Sequence, residues 1–446
     1  MTTDPVVIVG GGVSGLSAAV ALASRGIPIT LFEQKPALGG RAYSFTDARA
    51  GETIDNGQHV LIAGYERAMR FLEMIGAHDK LRVQSAPTLL FHHPRRGFKK
   101  ILLPNLPPPL DFVLGILRCG LFSWGDRWNI LRAGRMLKSV DEQAVKDLTI
   151  NQWLDAIGQT EETKRSFWEP LSVSIMNEQI ETASAAVFVR SLKTAFLGNR
   201  KNASVVIPAV GLSDLYVHPA RSYIVSRGGS IQCNADVVEV LYDGSGVTGV
   251  RVKGNGVTTC SGVILAVPHS KLVQLLPSPL KRHPSFSVIE TIASSPIVSI
   301  HLWLDSDYMT DDFVGLIGRR VQWLFNRRRI QNTQGSGGHV SAVISAAYEF
   351  VGLTNEELIR LTIEDLRSVY PSFPNEPVHA VVIREKRATF SCTPETEQLR
   401  PSQETPIPNL FLAGDWTNTG FPATIEGAIR SGERCAGLMN EVLARS

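Results

Sequence analysis

The chain is poor in cysteine. Its five cysteines, Cys119, Cys233, Cys260, Cys392 and Cys435, are odd in number, far apart and form no C-x-x-C. That pattern argues against a disulfide framework or a zinc site and fits a reducing compartment. Long apolar runs are missing too: no stretch of about 18 uncharged apolar residues exists, so no spanning helix is expected. The opening Met1-Thr-Thr-Asp-Pro5 has no Lys or Arg, so the apolar run behind it lacks the charged start of a signal peptide. Neither sign of charge is in excess: Lys+Arg is 45, Asp+Glu is 42, and the net charge is +3. This gives no reason to expect nucleic acid across the whole surface. The histidines carry no ligand spacing, so no metal is expected. What the chain does have is length and apolar content. With 446 residues, 43% hydrophobic and 20% charged, it can bury a large core and is too apolar to be disordered. Two structural units, or one interwoven unit, are expected. The expected location is the cytoplasm, in solution or held at a membrane surface.

Val6-Val7-Ile8-Val9 reads as a strand buried on both faces. It runs into Gly10-Gly11-Gly12-Val13-Ser14-Gly15, then a helical pattern with Leu16, Ala19, Val20 and Ala23 on one side. Pro28 to Phe32 reads as a second strand, closed by Glu33. Each part has a use. Gly10 permits the tight turn, Gly12 lets the backbone approach a pyrophosphate, and Gly15 lets the helix pack on the sheet. Free N–H groups at the helix start, around Ser14, suit phosphate charge. Glu33 can accept from ribose hydroxyls. The chain carries its own control, since Gly244-Ser-Gly-Val-Thr-Gly249 matches the same spacing. Its flanks alternate with period two, so it reads as a hairpin turn without ligand.

Leu38-Gly39-Gly40-Arg41 fits a loop lying on phosphate, with Arg41 as a charged donor; a surface turn with a solvated arginine is the plain alternative. Near the C-terminus, Asn409 to Ala413 is a buried-strand run ending in Gly414-Asp415. A loop and a helix from Ala423 follow. Asp415 can bind a sugar or ribityl hydroxyl, and the helix start near Thr424 and Ile425 offers N–H groups to an electron-rich oxygen. A nicotinamide needs no such second unit, whereas a flavin does.

Together, the fingerprint, Gly39-Gly40-Arg41 and Ala413-Gly414-Asp415…Gly427-Ala428…Ser431-Gly432 resemble the FAD-dependent amine oxidase and phytoene desaturase superfamily. Four stretches narrow the resemblance: Asp55-Asn56-Gly57-Gln58-His59, Pro208 to Leu215, Arg384 to Phe390, and Gly414 to Pro422. They resemble the squalene-associated branch, the hydroxysqualene dehydroxylases of hopanoid biosynthesis. The resemblance implies an α/β fold. A Rossmann-like FAD-binding domain (GR2-type, as in p-hydroxybenzoate hydroxylase and the amine oxidases) would carry an inserted α+β substrate domain. The implied FAD domain is 1–90 with 206–290 and 396–446, and the substrate and membrane-contact domain is 91–205 with 291–395. Noncovalent FAD is implied, with Val237 meeting adenine through its backbone. The implied partners are a long isoprenoid and enzymes of the squalene and hopanoid pathway.

Residues 91–140 carry nine basic and two acidic residues, a local +7 against +3 for the whole chain. The bases are interleaved with Phe112, Trp124, Trp128 and several leucines. Wound as a helix, Arg127, Arg132, Arg135 and Lys138 fall within an arc of about 140°. Base beside aromatic suits an anionic membrane surface; an ordinary amphipathic helix with a solvated face is the alternative. No RNA-binding motif accompanies the charge. Helices at Phe167–Leu171 and Ala183–Phe196 could line an apolar tunnel or be core. Strands at 297–304, 339–347 and 378–383 suit the floor of a substrate domain.

In that branch, reduced flavin replaces a hydroxyl of hydroxysqualene by hydrogen. Hydroxide leaves poorly, so a general acid or firm hydrogen-bond donor is expected. Asp55, Gln58 and His59 form a plausible polar cluster, with Gly57 letting the backbone pass close to the ring. His59 is the candidate proton donor, with a backbone-satisfied ring as the alternative. Arg387 would face the flavin or pair with Glu385 or Glu426. The alternative activities are a carotenoid desaturase or isomerase, a flavin amine or protoporphyrinogen oxidase, and a non-catalytic prenyl-binding protein.

Overall fold

The computed structural model describes residues 4–333, 337–374 and 376–445; the uncharged start Met1-Thr-Thr lies outside them. A five-stranded sheet is assembled from distant parts of the chain. Its order is Ser230–Gln232, Ile29–Phe32, Val6–Val9, Gly262–Leu265 and Leu410–Leu412, all parallel. The Val6–Val9 and Gly262–Leu265 strands are buried along their whole length, as their continuous apolar runs require. Helix Val13–Ala23 buries every residue, and its small side chains let helix Ile425–Leu443 cross it closely. A Cβ at Gly432 would overlap Ser17 Oγ and the Ser14 carbonyl. The two chain ends are therefore locked together on one face of the sheet.

Val237–Tyr242, Val247–Val252 and Gly256–Thr259 form a separate antiparallel sheet. The second glycine-rich spacing falls in its first hairpin, where Asp243 Oδ1 accepts from the Ser245 and Gly246 amides at 2.8 and 3.0 Å. It is a turn, as its alternating flanks predict.

A seven-stranded sheet runs His379–Phe390, Ser294–Leu304, Gly338–Ser345, Trp323–Asn326, Phe313–Leu316, Thr88–His93 and Gly97–Leu102. The predicted strands at 297–304, 339–347 and 378–383 are its first three, and the third extends through the Arg384 to Phe390 motif. Alternation gives this sheet two different faces. Val298, Ile300 and Leu302 pack with Leu358 and Leu366 of helix Asn355–Val369. The other face presents Ile297, Ser299, His301 and Trp303. Helices Leu110–Arg118, Trp124–Met136, Ile150–Ala156, Glu169–Met176 and Ala185–Phe196 form a lobe around Ile130, Trp153, Phe167, Trp168 and Phe188. No helix among the described residues is long and apolar enough to cross a membrane.

The hairpin carrying Glu52 and Asp55 packs on the second face through a buried histidine pair. Glu52 accepts from His339 Nδ1 at 3.2 Å and from Trp303 Nε1 at 3.0 Å. Hydrogen bonding to His339 is the main reason its carboxyl drops to about 2. His339 Nε2 lies 3.1 Å from His301 Nδ1. Burial pushes both imidazoles below 6.5, and the neighbouring Arg327 cation adds to this. Folding thus lowers the proton affinity of both rings relative to the unfolded chain, where they take up protons below 6.5. Stability is therefore full above pH 6.5 and falls below it, by about 1.4 kcal/mol per pH unit for each ring that stays neutral. Thermal melts from pH 7.5 to 5.5 should lose stability on acidification, and His301→Gln should have the shallower slope. Equal slopes would remove this pair as the cause.

Candidate functional site

The loop after Val9 contains glycines of two kinds. Gly10, at φ +107°, would put a Cβ 2.5 Å from the Ala266 carbonyl oxygen, and a Cβ on Gly15 would overlap the Gly10 carbonyl. Both are demanded by packing of the chain on itself. Gly12 differs: its Cβ would meet only Gly40 Cα, at 3.8 Å. Space lies open over Gly12, as a bound group requires. The Gly39 amide donates to the Gly11 carbonyl at 2.8 Å, which brings the Gly39-Gly40-Arg41 loop against the fingerprint. Helix Val13–Ala23 begins here with no side-chain cap and no acid in its first turn, although Ser14 is buried. Uncapped N–H groups at a buried helix start suit an anion.

Glu33 is 7% exposed and accepts from the Gly11 amide at 2.7 Å and the Lys35 amide at 2.9 Å. A carboxylate has about four acceptor positions, so capacity remains for a ligand hydroxyl. The Ala235 amide donates to the Glu33 carbonyl at 2.9 Å, which brings buried Val237 to the same end of the cradle.

At the other end, Arg41 and Asp415 meet each other. Arg41 Nη2 lies 2.5 Å from Asp415 Oδ1, and its Nη1 donates to the Ala388 carbonyl at 3.0 Å. Arg41 thus joins the two chain ends across the cleft. The Gly414 amide donates to Ser431 Oγ at 3.0 Å. Thr424 caps the last helix by accepting from the Gly427 amide at 3.1 Å, and Ile425 is its first residue. Glu426 is fully buried and turned away, accepting from the Ala68 amide and Arg430.

Arg387 sits in a bulge. Ser295 pairs with Thr389 and Ile297 with Glu385, so Pro296 alone stands opposite Lys386, Arg387 and Ala388. Proline offers no N–H to the ladder, and a bulge re-aims the side chains it carries. Arg387 is exposed, and no acid among the described residues pairs with it. Neither pairing expected for it forms: Glu385 accepts from Asn56 Nδ2 at 3.1 Å, and Glu426 is committed to Arg430.

The Asp55 to His59 segment is held from behind. Asp55 accepts from Ser44 Oγ at 2.7 Å, the Leu212 amide at 2.9 Å and Arg327 Nη2 at 2.7 Å. Arg327 Nη1 reaches Gln58 Oε1 at 2.5 Å. Gly57 lies over the sheet, where a Cβ would sit 3.7 Å from Ser299 Oγ. His59 Nδ1 faces the Gly57 carbonyl at 3.1 Å. Burial pushes its imidazole below 6.5, against the pull of Asp55 and Glu385. A neutral ring that donates from Nδ1 to that carbonyl has an accepting Nε2. The face beside this segment is apolar: Ile297 and Trp323 pack with Phe313, Phe325, Val343 and Ile207. Trp323 lies 5.6 Å from Phe91 and 6.0 Å from Phe313 between ring centres.

Two contributors escaped sequence reading. Arg327 opens the run Arg327-Arg328-Arg329 and is 1% exposed. His269, at the end of the Gly262–Pro268 run, is buried with Nε2 3.3 Å from Ser294 Oγ. No spacing marks either residue. The helical lobe also encloses a cavity, lined by Phe112, Trp153, Phe167, Trp168, Leu192 and Phe196 among others. None of the residues Gly10 to Gly15, Glu33, Arg41 and Asp415 lines it.

The sequence profile of flavin containing amine oxidoreductases matches residues 13–440. A hydroxysqualene dehydroxylase of Zymomonas mobilis is 29% identical over 440 residues, covering 97% of this chain and 98% of its own length. A 15-cis-phytoene desaturase of Synechococcus elongatus is 24% identical over 458 residues, covering 97% and 94%. Among solved structures, an oxidoreductase from Methanosarcina mazei is similar in fold. Its TM-score is 0.75 at 17% identity, covering 96% of this chain and 99% of that one.

The two kinds of glycine predict two outcomes. Gly12→Val should fold but purify with little bound flavin, because its side chain fills ligand space. Gly15→Val should fail to fold, because its side chain meets backbone. Glu33→Ala should fold and hold flavin more weakly, by about 1–3 kcal/mol. Flavin content and a circular dichroism melt separate these outcomes. A Gly12→Val protein with full flavin would refute the assignment.

Proposed function

Because this chain belongs to the flavin containing amine oxidoreductase family, we propose that it binds FAD noncovalently and reductively dehydroxylates hydroxysqualene to squalene. The observation that carries this reading is a polar loop, Asp55 to His59, set against an apolar and aromatic sheet face beside the nucleotide cleft. A long hydrocarbon with one hydroxyl asks for that combination. The full-length likeness to a hydroxysqualene dehydroxylase supports it. Absence of cysteine from residues 416–422 supports noncovalent attachment.

In this reading Gly10, Gly12, Ser14, Gly15, Gly40 and Arg41 hold the pyrophosphate. Glu33 and Val237 hold the adenosine end. Gly414, Asp415, Thr424 and Ile425 hold the ribityl and ring end, and Gly57 passes beside the ring. Bound flavin supplies the electron pair that ends as the new C–H bond. The chain's part is to orient the alcohol, exclude water and assist departure of the hydroxyl, which would leave as water with the proton that reduced flavin gives up alongside its hydride. His59 accepts hydrogen bonds there, and Arg387 lends positive charge from its bulge to the cofactor side. The aromatic face of Trp323 and Phe313 steadies positive charge at carbon as the C–O bond lengthens. The expected division sets 1–90, 206–290 and 396–446 as the nucleotide domain and 91–205 with 291–395 as the substrate domain; strand Thr88–His93 crosses that boundary into the seven-stranded sheet. A desaturase reading draws on the likeness to phytoene desaturase. Anaerobic incubation of the reduced enzyme with hydroxysqualene, phytoene and a simple amine, with products identified by mass, separates these readings. Squalene should form and the other two compounds should persist. Recovery of hydroxysqualene unchanged would end this proposal.

An anionic membrane face on the helical lobe completes the reading. A substrate of about thirty carbons gains roughly 0.8 kcal/mol per buried CH₂, so almost none is free in water. Trp124 and Trp128 are 67% and 66% exposed, and Leu110 and Met136 of the same lobe are exposed too. Lys100, Arg118, Arg135 and Lys138 are exposed near them in sequence. The charge available is smaller than composition predicts. Arg96, Arg127 and Arg132 donate to the Leu121, Leu117 and Ile157 carbonyls at 2.7, 2.8 and 2.7 Å. Each exposed base adds about 1 kcal/mol of attraction to an anionic surface. Wild type should float with anionic liposomes at low salt. Reversing Lys100, Arg118, Arg135 and Lys138 should abolish flotation and leave flavin content unchanged. Equal flotation of the two proteins would return this face to the solvated-helix reading.

A further inference from the structure

Arginine has five N–H donors and no acceptor. The atom that Gln58 turns toward Arg327 is therefore its carbonyl oxygen, and its amide nitrogen faces the other way. One amide hydrogen goes to the His59 carbonyl at 3.2 Å, and the second is left to donate. His59 has the opposite polarity. Its Nδ1 faces the Gly57 carbonyl, which can only accept, so Nδ1 carries the proton and Nε2 carries a lone pair. A donor and an acceptor thus stand on adjacent residues of a half-buried loop. The loop lies over Ser299, and His59 feels the charges of Arg41 and Glu385 from the cleft side.

We propose that Gln58 and His59 form a hydroxyl-recognising pair. Gln58 Nε2 donates to the oxygen of a substrate alcohol, while His59 Nε2 accepts that alcohol's proton in a hydrogen bond. Arg327 is the positioning residue. Anchored by Asp55, it fixes which end of the Gln58 amide is outward. The pair selects a neutral alcohol. An ammonium group can only donate, so it leaves the Gln58 N–H unmatched and brings a second cation toward Arg327. A plain hydrocarbon leaves both groups dry and unpaired, and a site built for a hydroxyl rejects the analogue lacking it. This inference rests on the proposed function, since it takes the loop as part of the substrate chamber.

The test is equilibrium binding to the oxidised holoenzyme, read from the flavin spectrum, with hydroxysqualene and squalene as a matched pair. Wild type should prefer the alcohol by about tenfold or more. Gln58→Leu should bring the two Kd values within about twofold by weakening the alcohol alone, since a neutral hydrogen bond is lost. Gln58→Glu keeps the oxygen on Arg327 but removes the donor; it should lose the preference as well, and it serves if the leucine variant does not fold. Arg327→Lys keeps a charge for Asp55 without the fork that reaches both partners. It should narrow the ratio at unchanged flavin content, which a purely structural role would not do. No preference in wild type, or an unchanged preference in both Gln58 variants, overturns the pair. Conversion of hydroxysqualene is measured alongside. Conversion with an intact preference in the Gln58 variants sinks the pair and leaves the reaction standing. No conversion, with a preference that Gln58 variants lose, sinks the reaction and sustains hydroxyl recognition.

Discussion

The buried ion pair between Asp55 and Arg327 is the constraint on which the candidate site depends. Both side chains are at most 2% exposed, and their contact is 2.7 Å. Three chain segments converge on this carboxylate: the hairpin that bears it, the Leu212 amide, and the helix Arg327–Gln331 beside the large sheet. A buried pair of this kind is weak evidence for stability, because desolvation offsets much of the attraction. Its value lies in orientation. A carboxylate saturated by Ser44, Leu212 and Arg327 has one geometry available, and through Arg327 that geometry passes to Gln58. The polar loop is therefore set by groups buried behind it.

The nucleotide cleft is built on a different principle. Distant parts of the chain supply its walls, and the last helix is clamped on the first at Gly432 and Ser17. Arg41 then bonds Asp415 and the Ala388 carbonyl, tying the cradle to the bulged edge of the sheet. The bulge sets Lys386, Arg387 and Ala388 opposite Pro296, which has no N–H for the ladder. Cradle and sheet edge are coupled by the hydrogen bond from Arg41 to the Ala388 carbonyl.

Charge in the helical lobe is partly structural. Arg127 and Arg132 place their guanidinium groups on carbonyls at or near the ends of helices Leu110–Arg118 and Ile150–Ala156. Carbonyls there lack intrahelical donors, and a cation satisfies them while meeting the negative end of the helix dipole. Arg127 also lies 4.4 Å over the Trp124 ring. A count of basic residues cannot separate such capping groups from those free to meet a surface.

Much was legible in the residues themselves because it obeys local rules. The apolar runs at Val6, Gly262 and Asn409 became parallel neighbours since only a doubly covered sheet buries them. The two glycine-rich spacings were told apart by their flanks, one a strand and helix, the other two alternating strands. Glu33, Arg41, Gly57 and Asp415 were readable as candidates from motif context. The pairing of Arg41 with Asp415, the burial of Arg327 and the bulge at Arg387 were not. Each depends on which groups from remote segments meet, and on how much water they lose when they do. A sequence states which side chains can donate, accept or ionise. Only the packed chain decides which partner is within reach, and hence which of those capacities is left for a ligand.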